Sequence, residues 1–418
     1  MTGPKMQRAR LAMLATGLAA LVPIAALAQR FDPKHPANFT VGAPRGPVAT
    51  ERLDAHRTGA SVTPLPTGRL KSEWRHLLGE LITQPPLIVG SDVVVLAGRG
   101  EMVFLNVETG EETARVPIGA SSAGPPTSLS SGTVVVVTSS GDAIGVAKTG
   151  VVFRTHLGGE ISLLGRIAPL SLDDGGAVVA SATELDVLDS RGGVRSRATI
   201  PEEIDGALLA AQGRVIVVTE SGVVFAWTPG KDPERVGSFG GRVFGGATLD
   251  GDHTLLGVID GARVMALDLQ RGIAAPRITS SGLLYIGPVA VRGDAAFLLA
   301  KGPGRTLLLG LDRAGQESLH IPLVQGQIPL LVDGGAAPPT LGGHAPLVVD
   351  KSAAVGFAIE DEIGVVDAQG NVTKLGTTMC RSHSSDILGI APINSAEAGA
   401  SFVVACEDGA VALITQKR

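Results

Sequence analysis

The chain has 418 residues, a formal net charge of −5 at pH 7, 56 Gly, 26 Pro, two Cys and only 3% aromatic residues. An acidic balance with no Lys/Arg cluster to oppose it excludes nucleic acid and anionic membrane surfaces as partners. The Gly and Pro content fits many short strands joined by turns better than a helical protein, and the scarcity of aromatic residues leaves Val, Leu, Ile and Ala to build the core.

Residues 1–28 have the parts of a secretory signal: Lys5, Arg8 and Arg10, an apolar run from Leu11 to Leu27, and a small-residue end at Ala26-Leu27-Ala28. Cleavage before Gln29 is predicted, which takes the net charge of −5 to −8 by removing those three cations. An uncleaved anchor is the alternative, because about 17 apolar residues lie near the lower limit for crossing a bilayer. A lipid anchor is not expected, since Gln29 stands where a Cys would be needed. The chain is therefore expected to be exported, to a periplasm or beyond the cell. Residues 29–69 are rich in Pro, Gly and charge without a period and read as an extended leader or linker. Asn38-Phe39-Thr40 matches a glycosylation acceptor, a pattern too common to carry weight.

Leu70 to Leu78, LKSEWRHLL, reads as a single strand, and residues 70–418 form the repeat domain. The first unit, VVVLAGRGEMVFLNVETG from Val93 to Gly110, is an apolar β run, a Gly turn, a second strand and a polar turn closed by Gly. Seven degenerate copies follow, and the turns of the eight units fall at Gly100, Gly141, Glu184, Gly222, Gly261, Gly302, Asp361 and Gly409, spaced by 41, 43, 38, 39, 41, 59 and 48 residues. A short apolar segment precedes each first strand (PPLIVG, GALLAA, YIGPVAV, APLVVD) and a more polar one follows each second strand (TARVPI, VFRTHL). Four strands at this period predict an all-β, eight-bladed β-propeller of four-stranded antiparallel blades, with seven blades as the alternative. The last unit ends at Arg418 without a fourth strand, and Leu70 to Leu78 lacks a unit. Pairing the two is predicted to close the ring and remove an open edge.

One stretch breaks the period: Val324 to His344, with GGAAPPTLGGH inside it, reads as a surface loop, either functional or a spacer. His344 has no second metal-type residue at ligand spacing and reads as a solvated loop residue. Cys380 and Cys406 both fall in the last repeat, so a disulfide is predicted, worth roughly 3 to 4 kcal/mol on the chain-entropy model; two buried free thiols are the alternative.

The strand pair and its closing turn resemble the pyrroloquinoline-quinone-like (PQQ-like) β-propeller repeat, most closely at Asn106 to Gly110, NVETG, with LDLQRG, LDRAG, VDAQG and LDSRGG as weaker copies. DAHRTGASVTPLP, Asp54 to Pro66, also resembles the leader that precedes the first blade in exported members, and the likeness runs from about residue 54 to residue 418. The family holds quinoprotein dehydrogenases and cofactor-free scaffolds, the latter typified by the propeller lipoprotein of the outer-membrane assembly machinery. The dehydrogenases carry Trp after the repeat turn and beneath the quinone, a vicinal disulfide and carboxylate-bound Ca²⁺, whereas this chain has Trp74 and Trp227 alone, no Cys-Cys pair and no acidic cluster of that character. The resemblance therefore implies the cofactor-free branch.

No catalytic residue and no metal or cofactor ligand stands out: G-x-S-x-G is absent, and the eight His show neither H-x-x-x-H nor H-E-x-x-H spacing. TTMCRSHSSD, Thr377 to Asp386, is the densest mixture of reactive types and offers Arg381 and His383 to one rim of the ring, or is simply a solvated inter-blade loop. Glu202, Glu203 and Asp205 occupy the equivalent loop before the fourth unit and Arg242 the one before the fifth, and loops of that kind cluster on one rim. The expectation is an exported, monomeric, non-enzymatic propeller that binds a protein partner or envelope polymer. The alternative is a degenerate quinoprotein or another propeller enzyme using channel residues.

Overall fold

The computed structural model describes residue 50 and residues 52–161, 167–279, 282–325, 346–382 and 385–417. The predicted signal, Asn38, His344, His383 and all but the first residues of the 324–344 insertion lie outside this set. The described residues hold no helix and form eight four-stranded antiparallel sheets. Numbered along the chain, blades 1 to 7 span residues 87–117, 127–156, 170–199, 209–238, 243–279, 284–325 and 348–374, and blade 8 combines residues 387–416 with Leu70–Leu77. This is the eight-bladed propeller that the repeat predicts.

Ring closure follows the predicted pairing. Leu70–Leu77 runs antiparallel to Ala410–Gln416, from Leu70 opposite Gln416 to Leu77 opposite Ala410, as the outer strand of blade 8. The apolar second and third strands are buried on both faces because their side chains point alternately to two neighbours. In blade 1, Val94, Leu96, Met102 and Phe104 pack with Val134, Val136, Ile144 and Val146 of blade 2, while Val93, Val95, Val103 and Leu105 join the core shared with Phe402 and Val404 of blade 8. The outer strands are polar and solvated, as in Glu112–Pro117.

Two turns differ in detail from the repeat pattern. Glu184 opens the strand Glu184–Leu188, and residues 181–183 make the turn, closed by Ser181 N–H to the Glu184 carbonyl at 3.0 Å and by Glu184 N–H to Ser181 Oγ at 3.2 Å. A serine hydroxyl closes this turn without a glycine, as the Thr138 and Thr219 hydroxyls do beside Gly141 and Gly222 in theirs. Gly302 ends the strand Ala295–Gly302, and Gly304, at φ +68°, carries the turn. The cysteines pair as predicted: Cys380 and Cys406 sulfurs are 2.17 Å apart with Cα atoms at 5.6 Å, the geometry of a disulfide.

Candidate functional site

Antiparallel order fixes what each face of the ring carries. Turns between second and third strands share one face, here the rim face, with the loops that join blades; turns between first and second strands occupy the opposite face. The first strands line the central channel.

The channel is filled by the chain's own leader. Residues 52–59 form a compact loop in which Arg57 N–H donates to the Asp54 carbonyl at 3.1 Å, Gly59 N–H to the Arg52 carbonyl at 3.1 Å and Thr58 N–H to Asp54 Oδ1 at 2.9 Å. Its carbonyls then meet successive first strands in turn: Ala55 accepts from Ala210 N–H of blade 4 at 3.0 Å, His56 from Leu249 N–H of blade 5 at 2.9 Å, Thr58 from Val291 N–H of blade 6 at 2.8 Å, and Gly59 from Val349 N–H of blade 7 at 2.8 Å. Thr50 bridges Thr127 of blade 2. Arg57 is 0% exposed, with Nε 3.1 Å from the Leu208 carbonyl, Nη2 2.9 Å from the Pro169 carbonyl and Nη1 on Thr50 Oγ1. Arg52, also buried, donates to the Ala247 carbonyl at 2.9 Å, to Thr248 Oγ1 and to the Val289 carbonyl. Burying guanidinium groups is tolerable because fixed carbonyl dipoles satisfy their donors. The leader then crosses the face opposite the rim, with Leu65 N–H on Asp350 Oδ2 at 2.8 Å and the Thr67 carbonyl accepting from Thr373 Oγ1 at 3.2 Å, and enters the closing strand at Leu70.

Between the leader and the first strands of blades 1, 2, 7 and 8 a cavity of about 20 Å³ remains, bounded by Arg52, Leu53, Leu87, Leu347 and Ile390. That is room for about one water, against several hundred Å³ for an ordinary cofactor pocket. Among the described residues no group of three or more His, Cys, Asp or Glu is placed to hold a metal ion. The residues present in the channel do not fit a bound quinone.

On the rim face an open cavity of about 760 Å³ lies between blades 8 and 1, lined by Glu80, Leu81, Arg99, Arg381, Ser382 and Asp408. The disulfide is buried beneath it, and Asp408 Oδ2 accepts the backbone N–H groups of Arg381 and of Ser382, the latter at 3.0 Å, which fixes the loop. Arg115 holds Glu101 at 2.7 Å and Glu112 at 2.8 Å and lies 3.8 Å from Glu80; its hydrogen bond keeps the Glu112 carboxyl below the usual range. The Arg99 and Arg381 side chains have no hydrogen bond or ion pair among the described residues, and Leu81 is 58% exposed beside them.

The other rim residues singled out from the sequence sit together between blades 3, 4 and 5 and are tied to the ring. Asp205, buried, accepts from Arg242 Nε at 3.0 Å, and Arg242 Nη1 is 3.5 Å from Glu220. Glu202 accepts from Thr219 Oγ1 at 3.0 Å and from Ser221 Oγ, and the Glu203 carbonyl accepts Glu220 N–H at 2.8 Å. Arg381 alone of the set lines the large cavity, and His383 lies outside the described residues. Sequence reasoning missed Arg99, Glu80, Arg52 and Arg57. Arg99 was within reach, because it stands in the second-to-third strand turn of the best-preserved repeat, on the same face as the inter-blade loops.

The opposite face carries a second open cavity of about 670 Å³ over the leader, lined by Asp54, Asp250, Arg277, Arg292, Asp294 and Arg313. Burial raises the Asp250 pKa above the ordinary carboxylate value, opposed by the charges of Arg277 and Arg313.

No curated protein sequence matches the chain. Among solved structures, BamB from Moraxella catarrhalis is similar at a TM-score of 0.59 and 15% identity, over 84% of this chain and 98% of that one. Quinohemoprotein alcohol dehydrogenase from Comamonas testosteroni is similar at 0.63 and 13% identity, over 94% and 84%. The computationally designed Ika8 protein reaches 0.60 and 15% identity, over 83% and 99%. At these identities the likeness is one of fold. The family model described as outer membrane protein assembly factor BamB matches residues 55–275, more than half of the sequence, and the chain belongs to this PQQ-like propeller family.

Proposed function

We propose that this chain is an exported, non-enzymatic propeller that acts as a protein-binding scaffold in the cell envelope. The observation that carries the reading is the leader in the channel: it takes up the space in which a propeller enzyme would gather substrate and cofactor, and leaves the faces of the ring as binding area. The rim cavity between blades 8 and 1, with Arg99, Arg381 and exposed Leu81, is the part of that area best suited to a partner, because the two guanidinium groups have no hydrogen bond or ion pair among the described residues. Kinship with an outer membrane protein assembly factor supports both an envelope location and a protein partner.

The reading is tested by placing photo-crosslinking residues at Arg99 and Arg381, and at Arg235 on an outer strand as control, in the native envelope. A reproducible partner captured from the first two positions and not the third is expected. Titration of the purified protein with quinone and Ca²⁺ tests the competing class: a stoichiometric chromophore with substrate-dependent dye reduction would overturn the scaffold reading.

A further inference from the structure

We propose that the inner wall of the ring is a binding site for a looped, arginine-bearing polypeptide, loaded here in cis by Thr50 and residues 52–66, and that the same site accepts such a segment in trans. The inference concerns the channel wall and does not depend on the scaffold reading.

The contacts are those of a bound peptide. Ala55, His56, Thr58 and Gly59 present their carbonyls to Ala210, Leu249, Val291 and Val349, whose positions follow the blade period. One short segment thus reads four blades with a hydrogen bond to each, and Ser61 N–H returns a fifth bond to the Val349 carbonyl at 2.7 Å. A tether needs none of this; a ligand that must hold its place around a ring does. The ring supplies main-chain donors and acceptors already fixed by its sheets, so little must reorganise when the segment docks.

Two side chains give the site its chemistry. Arg57 commits Nε, Nη1 and Nη2 to separate acceptors, Leu208 O, Thr50 Oγ1 and Pro169 O, drawn from the wall and from the segment itself. Arg52 donates from Nη1 to Ala247 O and from Nη2 to Thr248 Oγ1 and Val289 O, on blades 5 and 6. Only a planar fork of donors reaches acceptors spread this way; a lysine ammonium, with one nitrogen, cannot replace it. The loop also carries its own brace, Asp54 on Thr58 N–H and Oγ1, so the docked shape is partly encoded in the peptide. Between this buried loop and the closing strand, Val62 is 76% exposed and Thr67 is exposed, so the connection can be cut without opening the core.

The test uses the full chain. A protease site is inserted after Thr67, the protein is folded and then nicked, and a labelled peptide of residues 50–66 is added while anisotropy is followed. The nicked segment is expected to stay with the folded ring on gel filtration and to exchange for the labelled peptide saturably, whereas uncut protein takes up none. Peptides carrying Arg57→Lys or Arg52→Lys are expected to bind at least about tenfold more weakly, the loss of one charge-assisted hydrogen bond or more. Three results would each overturn the proposal: the segment leaves and the peptide does not return, the ring unfolds when nicked, or the Lys peptides bind as well as the native one.

Discussion

The indole of Trp74 lies against the Cα of Gly110: a Cβ built at Gly110 would stand 2.6 Å from two ring carbons, and Trp74 Nε1 donates to the Val107 carbonyl at 2.9 Å. The outer strand of blade 8 thereby docks on the closing turn of blade 1. Phe153 of blade 2 repeats the contact on Gly192 of blade 3, where a Cβ would meet the ring at 2.5 Å. These glycines do more than permit a turn; they make room for the preceding blade.

Gly110→Ala is therefore expected to lower stability by about 2 to 3 kcal/mol, combining a left-handed φ of +72° with collision against the indole. Urea unfolding measures the loss. Because Trp227 is fully buried elsewhere, a red shift of native fluorescence would report Trp74 leaving its seat.

Replacing both Cys380 and Cys406 with Ser is expected to cost roughly 3 kcal/mol, from the closure of a loop with a sequence separation of 26. Unfolding with and without reductant should show the same difference in the native protein and none in the double variant. The folded protein should resist reduction, since both residues are buried.

Arg57→Met is expected to destabilise by about 3 kcal/mol or more, because it leaves buried carbonyls, including Leu208 and Pro169, without their donor. Arg57→Lys should recover little of this, since three N–H groups on a single nitrogen cannot span acceptors arranged around the separate nitrogens of a guanidinium fork. Equilibrium denaturation of the three proteins decides the point.

Asp250 gives a pH dependence of determinate sign. Burial raises its folded pKa above the unfolded value, so the folded state holds the proton more tightly: the stabilisation is complete below the unfolded pKa and is lost as pH rises through the folded one. Asp250→Asn, which cannot ionise, is expected to be more stable than the native protein near pH 7.5, with the difference vanishing toward pH 3.5. Denaturation midpoints at the two pH values measure it.

The blade count, the closing strand and the disulfide were all legible because each leaves a periodic or paired mark: apolar runs every forty residues or so, one strand too few at Ala410–Gln416 against one too many at Leu70–Leu77, two cysteines in one unit. The leader was read as extended and as preceding the first blade, without its seat in the channel, since Arg52 and Arg57 dock largely on main-chain carbonyls, which every residue owns and no sequence pattern announces. Asp205 and Arg242 looked like free rim charges for a different reason, the distance between them in the sequence. Their ion pair depends on two loops 37 positions apart being brought together by blades 4 and 5.

Because Leu70–Leu77 completes the sheet of Ala410–Gln416, the earliest strand of the ring to be synthesised is the last that can find its partner. Throughout elongation it must wait with both edges bare. Its composition suits the wait: Lys71, Ser72, Glu73, Arg75 and His76 make it one of the most polar strands of the ring, poorly able to recruit a wrong neighbour. Folding is then bound to chain completion, and a product shortened by the final strand would be left with a ring that cannot shut.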